Sequence, residues 1–265
     1  MNVNAPRLAG KRIIITGAGA GLGQNSAMSF ACQGAHILCA DLDADTARQT
    51  AEAINAQGGK AVACQTDISL EDDNRKMVET AMQQLGGIDG LFANAGIAGT
   101  GSAADTTKED WDKMIAVGLT GNWLSAKYVL PQMMAQKSGS IVFQSSICSL
   151  NGFPHLAAYS AAKGALAALT RQMAVDYGGE NIRINAIAPG TIETELVRKT
   201  YVDRLNAGNS NKKVEDSLTE TAARYPLNRL GEVEDVSHMA VFLFSDESKW
   251  VSGSLFTVDG GYTAK

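Results

Sequence analysis

The 265-residue sequence is notable first for what it lacks. No apolar run approaches the roughly 20 residues of a membrane-spanning helix, so a bilayer span is not expected. Asn2-Val3-Asn4-Ala5-Pro6-Arg7 lacks the apolar core of a secretion signal. Basic residues are outnumbered, 23 against 28 acidic, and the net charge of −5 argues against a nucleic-acid backbone as main partner. There are only four cysteines (32, 39, 64 and 148), none in CxxC spacing, which removes a zinc ribbon or a disulfide scaffold from consideration. Three of them sit among alanine and leucine and read as reduced core residues of a cytoplasmic protein. Cys148 follows two serines and is given no chemical role. With three histidines in all, a histidine-based metal centre has little to build on. His36 and His238 read as structural and His155 as a surface-loop residue. No repeat, low-complexity tract or linker interrupts the chain.

What is present is an alternation. Arg12-Ile13-Ile14-Ile15-Thr16 is a continuous β-branched run, the pattern of a strand buried on both faces. A helix is predicted over 21–33 and a strand over 35–40. The pattern recurs as helix 43–57, strand 60–65, helix 70–85, strand 88–93, helix 107–136, strand 139–145, helix 156–178 and strand 182–188. Helix 232–245 and strand 254–258 close it. Strands alternating with helices imply right-handed βαβ units, hence an α/β, doubly wound parallel sheet in a single domain. At this length about three quarters of the unfolded surface is buried, so no covalent staple is needed. Residues 190–226 break the rhythm with no predicted strand. An excursion that long in a compact domain reads as a lid over a site.

Two constellations carry chemistry. The first strand runs into Thr16-Gly17-Ala18-Gly19-Ala20-Gly21-Leu22-Gly23 and then a helix. Glycines there let backbone approach a pyrophosphate, and the helix N-terminus favours its charge. Asp41 ends the second strand, where a carboxylate would accept hydrogen bonds from an adenosine ribose. It would repel a 2′-phosphate, and neither the glycine loop nor Leu42 supplies a cation, so NAD is expected over NADP. The second constellation is Tyr159-Ser160-Ala161-Ala162-Lys163. Residues i and i+4 share a helix face, and an ammonium beside a phenol favours the phenolate. Ser145-Ser146 close the fifth strand at the sheet edge that faces a ligand crevice.

From Gly10 to Gly261 the sequence resembles a short-chain dehydrogenase/reductase of the compact, single-domain Rossmann type. The resemblance implies a set of roles. Gly17, Gly21, Leu22 and Gly23 would form the cofactor loop. Asp67 would contact the adenine amino group, with Ile68 beside it. Asn94-Ala95-Gly96 would pack against the adenosine. Ser146, 13 residues before Tyr159, would be the catalytic serine rather than Ser145, with Tyr159 and Lys163 completing the centre. Pro189-Gly190-Thr191-Ile192-Glu193-Thr194 would lie beside the nicotinamide, the Ile192 backbone binding its carboxamide and Thr194 reaching the carboxamide or a phosphate. Val258-Asp259-Gly260-Gly261 matches the family ending.

There is one departure. Val117-Gly118-Leu119-Thr120-Gly121 has glycine where the family carries the asparagine credited with holding a water near the lysine. Asn122, one turn on, is the residue that could substitute for it. The resemblance further implies hydride transfer between NAD and a secondary alcohol or ketone, in the oxidative direction. By family analogy the pocket walls would be Leu150, Asn151, Phe153, His155, Ala98 to Thr100 and the 190–226 segment. That mixture suits a cyclic alcohol, diol or polyol. The Ala- and Gly-rich helix 156–178 suggests a homotetramer. The competing readings are an acyl-chain ketoreductase, which would call for NADPH and a basic patch, and an idle NAD-binding regulator, which only Gly118 favours.

Overall fold

The computed structural model describes residues 6–207 and 212–265. Met1–Ala5, and the Asn206–Asn211 run beyond Ala207, lie outside the described residues. Seven parallel strands form one sheet: β1 (Arg12–Thr16), β2 (His36–Asp41), β3 (Lys60–Gln65), β4 (Gly90–Ala93), β5 (Gly139–Gln144), β6 (Ile182–Pro189) and β7 (Leu255–Val258). Their order is β3-β2-β1-β4-β5-β6-β7. The chain therefore steps outward from β1 to β3, then restarts on the other flank of β1 with β4. This reversal opens a crevice above the C-terminal ends of β1 and β4. The predicted doubly wound sheet is the observed one, and strand ends move by no more than two residues.

Helices cover both faces because the strands are apolar on both. On one face lie α1 (Gly21–Cys32), α2 (Ala44–Ala56) and α9 (Val233–Phe244). They bury Phe30, Ala51, Ile54, Val241 and Phe244 against Ile13, Ile15, Phe92, Val142 and Ile187. Phe30, Phe92 and Phe244 form a three-ring cluster with centroids 5.3–6.3 Å apart. On the other face lie α3 (Glu71–Leu85), α5 (Asn122–Gln136) and α6 (Ala157–Tyr177). There Met77, Ala81, Ala126, Val129, Leu166 and Met173 pack on Ile14, Leu91, Ile141, Phe143 and Ile184. Side chains two apart in a strand share a face, so each strand feeds both cores. At the lower edge of the sheet Arg12 grips Asp89 through Nε and Nη2 at 2.7 and 2.8 Å. No helix among the described residues is long and apolar enough to cross a membrane.

Three details differ from the sequence expectation. The single helix expected over 107–136 is α4 (Lys108–Ile115), a π turn (Ala116–Gly121) and α5. A single π turn inside a helical stretch has no residue signature of its own, so pattern reading does not separate it from the flanking helices. The 190–226 segment carries α7 (Glu195–Ala207) and α8 (Val214–Ala222), and one isolated bridge joins Ile192 to Gly231. Tyr225 anchors its far end: it is buried, accepts the Thr191 N–H at 2.7 Å and reaches Thr191 Oγ1 at 2.9 Å. Of the three cysteines expected in the core, Cys39 and Cys64 on the strands are buried, whereas Cys32 ends α1 and is turned to solvent.

Candidate active site

The glycine loop leaves β1 at Thr16 and turns into α1 in the crevice. Three of its positions admit no side chain. Gly17 has φ +68°, and a Cβ there would lie 3.0 Å from the Ala95 backbone. A Cβ on Gly19 would overlap Thr46 Oγ1, and one on Gly23 would overlap the Gly17 carbonyl oxygen. Asn94, following β4, pins the loop by donating from Nδ2 to the Thr16 carbonyl at 3.0 Å. The N-cap of α1 is Ala20, with no side-chain cap and no acidic residue in the first turn. The free N–H groups of that turn thus point into the crevice without a resident anion, a cradle shaped for a phosphate.

Asp41 stands at the end of β2, as expected. Its Oδ2 accepts the Gly19 N–H at 2.8 Å and its Oδ1 the Asp43 N–H at 3.1 Å. Beside it is a cavity of about 550 Å³ lined by Asp41, Leu42, Asp43, Ala44, Asp45 and Gln65. Three carboxylates and no cation line this pocket. Asp67 Oδ1 takes both the backbone N–H and the hydroxyl of Ser69, at 2.9 and 2.6 Å. Ile68 is buried under Gly121. Leu22 packs from α1 onto the core.

The crevice continues over β5 to α6, where the second constellation assembles. Ser145 is buried and donates to the Lys163 carbonyl at 3.0 Å, a bond that ties β5 to α6. Ser146 instead accepts the Cys148 N–H at 3.2 Å and hydrogen-bonds Tyr159. The two serines therefore differ in partner, Ser145 bonding the α6 backbone and Ser146 bonding Tyr159. Lys163 is buried; its ammonium donates to the Gln144 carbonyl at 2.6 Å and lies 5.7 Å from the Tyr159 ring centroid. Burial pushes the Lys163 pKa down to about 8, with the nearby Cys148 opposing the shift. Burial pushes the Tyr159 phenol up to about 12; Cys148 adds to that rise and the Ser146 hydrogen bond opposes it. A lowered tyrosine pKa was the expectation from Lys163 alone. In the protein by itself, desolvation of the phenolate outweighs it.

Pro189 ends β6, and Gly190 packs against Tyr225, leaving no space for a Cβ between Tyr225 and the Asp259 backbone. Ile192 is buried beside Gly231. Thr194 caps the start of α7, accepting the Val197 N–H at 3.3 Å, and its methyl faces Gly21 across the crevice. The glycine loop and the segment after β6 thus close on each other from opposite sides.

Gly118, which stands where the resembling family carries an asparagine, packs closely against α6. Gly118 lies in the π turn, where a Cβ would be 3.2 Å from Ala162 Cβ on α6 and 3.4 Å from Met114 Sδ. Asn122 is buried and gives its Nδ2 to the carbonyls of Ala95, Val117 and Gly118 at 3.1–3.3 Å. It thereby ties the π turn to the loop after β4, in immediate contact with the Gly118 carbonyl. Two residues that sequence reasoning missed are Gln144, whose carbonyl holds Lys163, and Tyr225. No metal-binding cluster of His, Cys, Asp or Glu occurs among the described residues.

The profile of the family described as enoyl-(acyl carrier protein) reductase matches residues 17–263. The 2-(S)-hydroxypropyl-CoM dehydrogenase 3 of Xanthobacter autotrophicus is 38% identical over 258 residues, covering 97% of this chain and 98% of that protein. The cyclohexanol dehydrogenase of Acinetobacter sp. is 34% identical over 256 residues, 96% of each. The crystal structure of levodione reductase superimposes with a TM-score of 0.91 at 32% identity, covering 97% of this chain and 99% of that one. With a crevice, a glycine cradle and a Ser-Tyr-Lys centre in one parallel sheet, the chain belongs to the short-chain dehydrogenase/reductase superfamily, whose members bind NAD(H) or NADP(H).

Proposed function

We propose that the protein is an NAD-dependent dehydrogenase of secondary alcohols, working in the oxidative direction on a mid-sized cyclic alcohol, diol or polyol. The observation that carries this reading is the convergence of Ser146, Tyr159 and Lys163 at the crevice the glycine loop opens. Relatives named for hydroxypropyl-CoM and cyclohexanol support the alcohol class. The acidic lining around Asp41 supports NAD.

The fit to a dinucleotide rests on the glycines that leave no room for a Cβ and on the uncapped N-terminus of α1. Gly17, Gly21, Leu22 and Gly23 would hold the pyrophosphate, Asp41 the adenosine ribose, and Asp67, Ile68 and Asn94 the adenine side. Pro189, Gly190, Ile192 and Thr194 would hold the nicotinamide, and Lys163 its ribose. NAD, when bound, supplies the hydride acceptor and a positively charged ring. That charge favours the phenolate of Tyr159, against the burial that raises its pKa in the protein alone. Ser146 orients the substrate oxygen. Tyr159 takes the hydroxyl proton as the carbinol carbon loses hydride. Lys163, held by the Gln144 carbonyl, keeps a cation beside the phenolate oxygen. The protein positions and tunes, while the redox chemistry is the cofactor's.

The test is NADH formation across secondary alcohols, diols and sugar alcohols, with Tyr159→Phe alongside. Turnover by the wild type, reduced by 10²- to 10⁴-fold in the variant with NADH still bound, is the expected result. Equal turnover by both proteins would overturn the mechanism. A homotetramer located in the cytoplasm is part of the proposal. The outer face of α6 leaves Ala161, Ala168 and Val175 exposed, and light scattering reads the assembly directly.

A further inference from the structure

Gln144 is the last residue of β5, and its main chain already serves the site by holding the Lys163 ammonium at 2.6 Å. Its side chain is one of five with a buried, unpartnered polar atom among the described residues, and the one at the C-terminal end of a strand beside the Ser146, Tyr159 and Lys163 cluster. It is only 7% exposed, and its Oε1 is buried with no hydrogen-bond partner among the described residues. An unsatisfied buried carbonyl is costly, and native structures rarely keep one without a use.

Register fixes where this carboxamide lies. Gln144 pairs with Ile187 of β6, and two residues earlier Val142 pairs with Asn185. Val142 and Ile187 belong to the core under α1 and α9. By the two-residue alternation of a strand, the Gln144 side chain shares that face. Ser145, the next residue, turns to the other face and bonds α6. So Gln144 sits at the top of a central strand, on the side of the glycine loop. A ligand reaching from the N-terminus of α1 to Tyr159 and Lys163 on α6 must pass over this strand end.

We propose that Gln144 is a binding residue for the nicotinamide-riboside end of the cofactor, its side-chain oxygen accepting from a ribose hydroxyl or from the nicotinamide amide. This rests on the reading of the chain as a nicotinamide-dinucleotide enzyme. The chemistry suits the position: both donors are neutral, and a carboxamide accepts from them without adding charge beside Lys163. The bound cofactor satisfies the oxygen that folding leaves unpaired, so part of the cost of burying it is recovered only on binding.

The experiment compares NADH with ADP, which shares the adenosine diphosphate and lacks the whole nicotinamide riboside. Both affinities are measured by calorimetry for wild type, Gln144→Met and Gln144→Leu, together with the melting temperature of each free protein. The expected result has three parts. NADH binds about tenfold more weakly to the variants. ADP affinity changes less than twofold. The free variants melt at or above the wild-type temperature, because the orphan oxygen is gone. Equal weakening of both ligands, or a lower melting temperature with it, would assign Gln144 a structural role and overturn the proposal. Unchanged NADH affinity would overturn it as well, leaving the dinucleotide reading in place. A wild type that binds neither ligand would end both. Methionine is nearly isosteric and unbranched, so it provides a folded variant if leucine does not fit.

Discussion

Asp41→Asn isolates one charge in the pocket that would take the adenosine ribose. The substitution keeps shape and one acceptor oxygen. Asp41 Oδ2 and Oδ1 now accept the Gly19 and Asp43 N–H groups at 2.8 and 3.1 Å, and an amide can serve only one of them. The lost bond costs about 1 kcal/mol and falls on both cofactors alike. Removing the charge relieves repulsion of the NADP 2′-phosphate and also weakens the hydrogen bonds from the NAD ribose, so both effects move the ratio the same way. Two unit charges 4 Å apart interact by about 1 kcal/mol in bulk water and about 4 kcal/mol at the effective dielectric of a protein surface. The pocket is open to solvent, so about 2 kcal/mol is a fair value, roughly thirtyfold in affinity. Asp43 and Asp45 remain in the lining, so the variant should still prefer NAD. The assay is kcat/KM for NAD and NADP with one alcohol, at fixed ionic strength. A ten- to hundredfold gain in the NADP/NAD ratio is expected. A ratio that stays put while both values fall would refute the reasoning and leave Asp41 a loop brace. A wild type that already uses both cofactors equally would refute it outright.

Gly23→Ala should abolish cofactor binding, because its Cβ would overlap the Gly17 carbonyl oxygen and press on Asn94 Nδ2; NADH affinity lowered by at least about tenfold, with a reduced melting temperature, checks the overpacking cost. Asp89 tests the edge of the sheet. Burial raises its pKa, but hydrogen bonds and charge from Arg12 outweigh it and hold the value below 3.8. A lowered folded-state pKa gives stability that is present above the unfolded value and lost as pH falls through the folded one. Asp89→Asn should therefore cost about 1–2 kcal/mol at pH 7 in urea melts, and the gap to wild type should close near the acid limit. Finally, the proposed mechanism makes oxidation depend on the phenolate of Tyr159, so its rate at saturating NAD should climb from pH 6 toward an apparent pKa below the value of about 12 in the protein alone. A profile flat from about pH 6 to 10 would count against Tyr159 as the base.

The parts of the site legible in the sequence are those governed by short-range rules. A β-branched strand, a glycine turn and a helix start occur in one continuous stretch, so Gly17 to Gly23 can be read from local pattern alone as a phosphate cradle. Tyr159 and Lys163 are one helical turn apart, and the helix alone brings them to one wall. What escaped depends on long-range packing. The π turn at Ala116–Gly121 has no residue signature of its own, and only the packed structure shows Ala162 3.2 Å from where a Gly118 Cβ would lie. Tyr225 reads as one more aromatic in a polar stretch, yet it anchors Thr191 across 34 residues. A glutamine ending a strand reads as a solvated edge, and only burial singles out Gln144.

The same division explains the acid–base behaviour of the centre. The i, i+4 spacing correctly brings a cation near a phenol, and from that alone the tyrosine pKa should fall. Packing adds a term the spacing does not contain. Both groups are desolvated, which disfavours either charge, so the phenol moves up to about 12 and the ammonium down to about 8. The two shifts have one cause and drive the pair toward neutrality. On the proposed mechanism the positively charged ring of the bound cofactor would add to Lys163 in favouring the Tyr159 phenolate, which would couple its proton chemistry to cofactor binding. The pH profile of the NAD complex, rather than of the free protein, would then be the informative one.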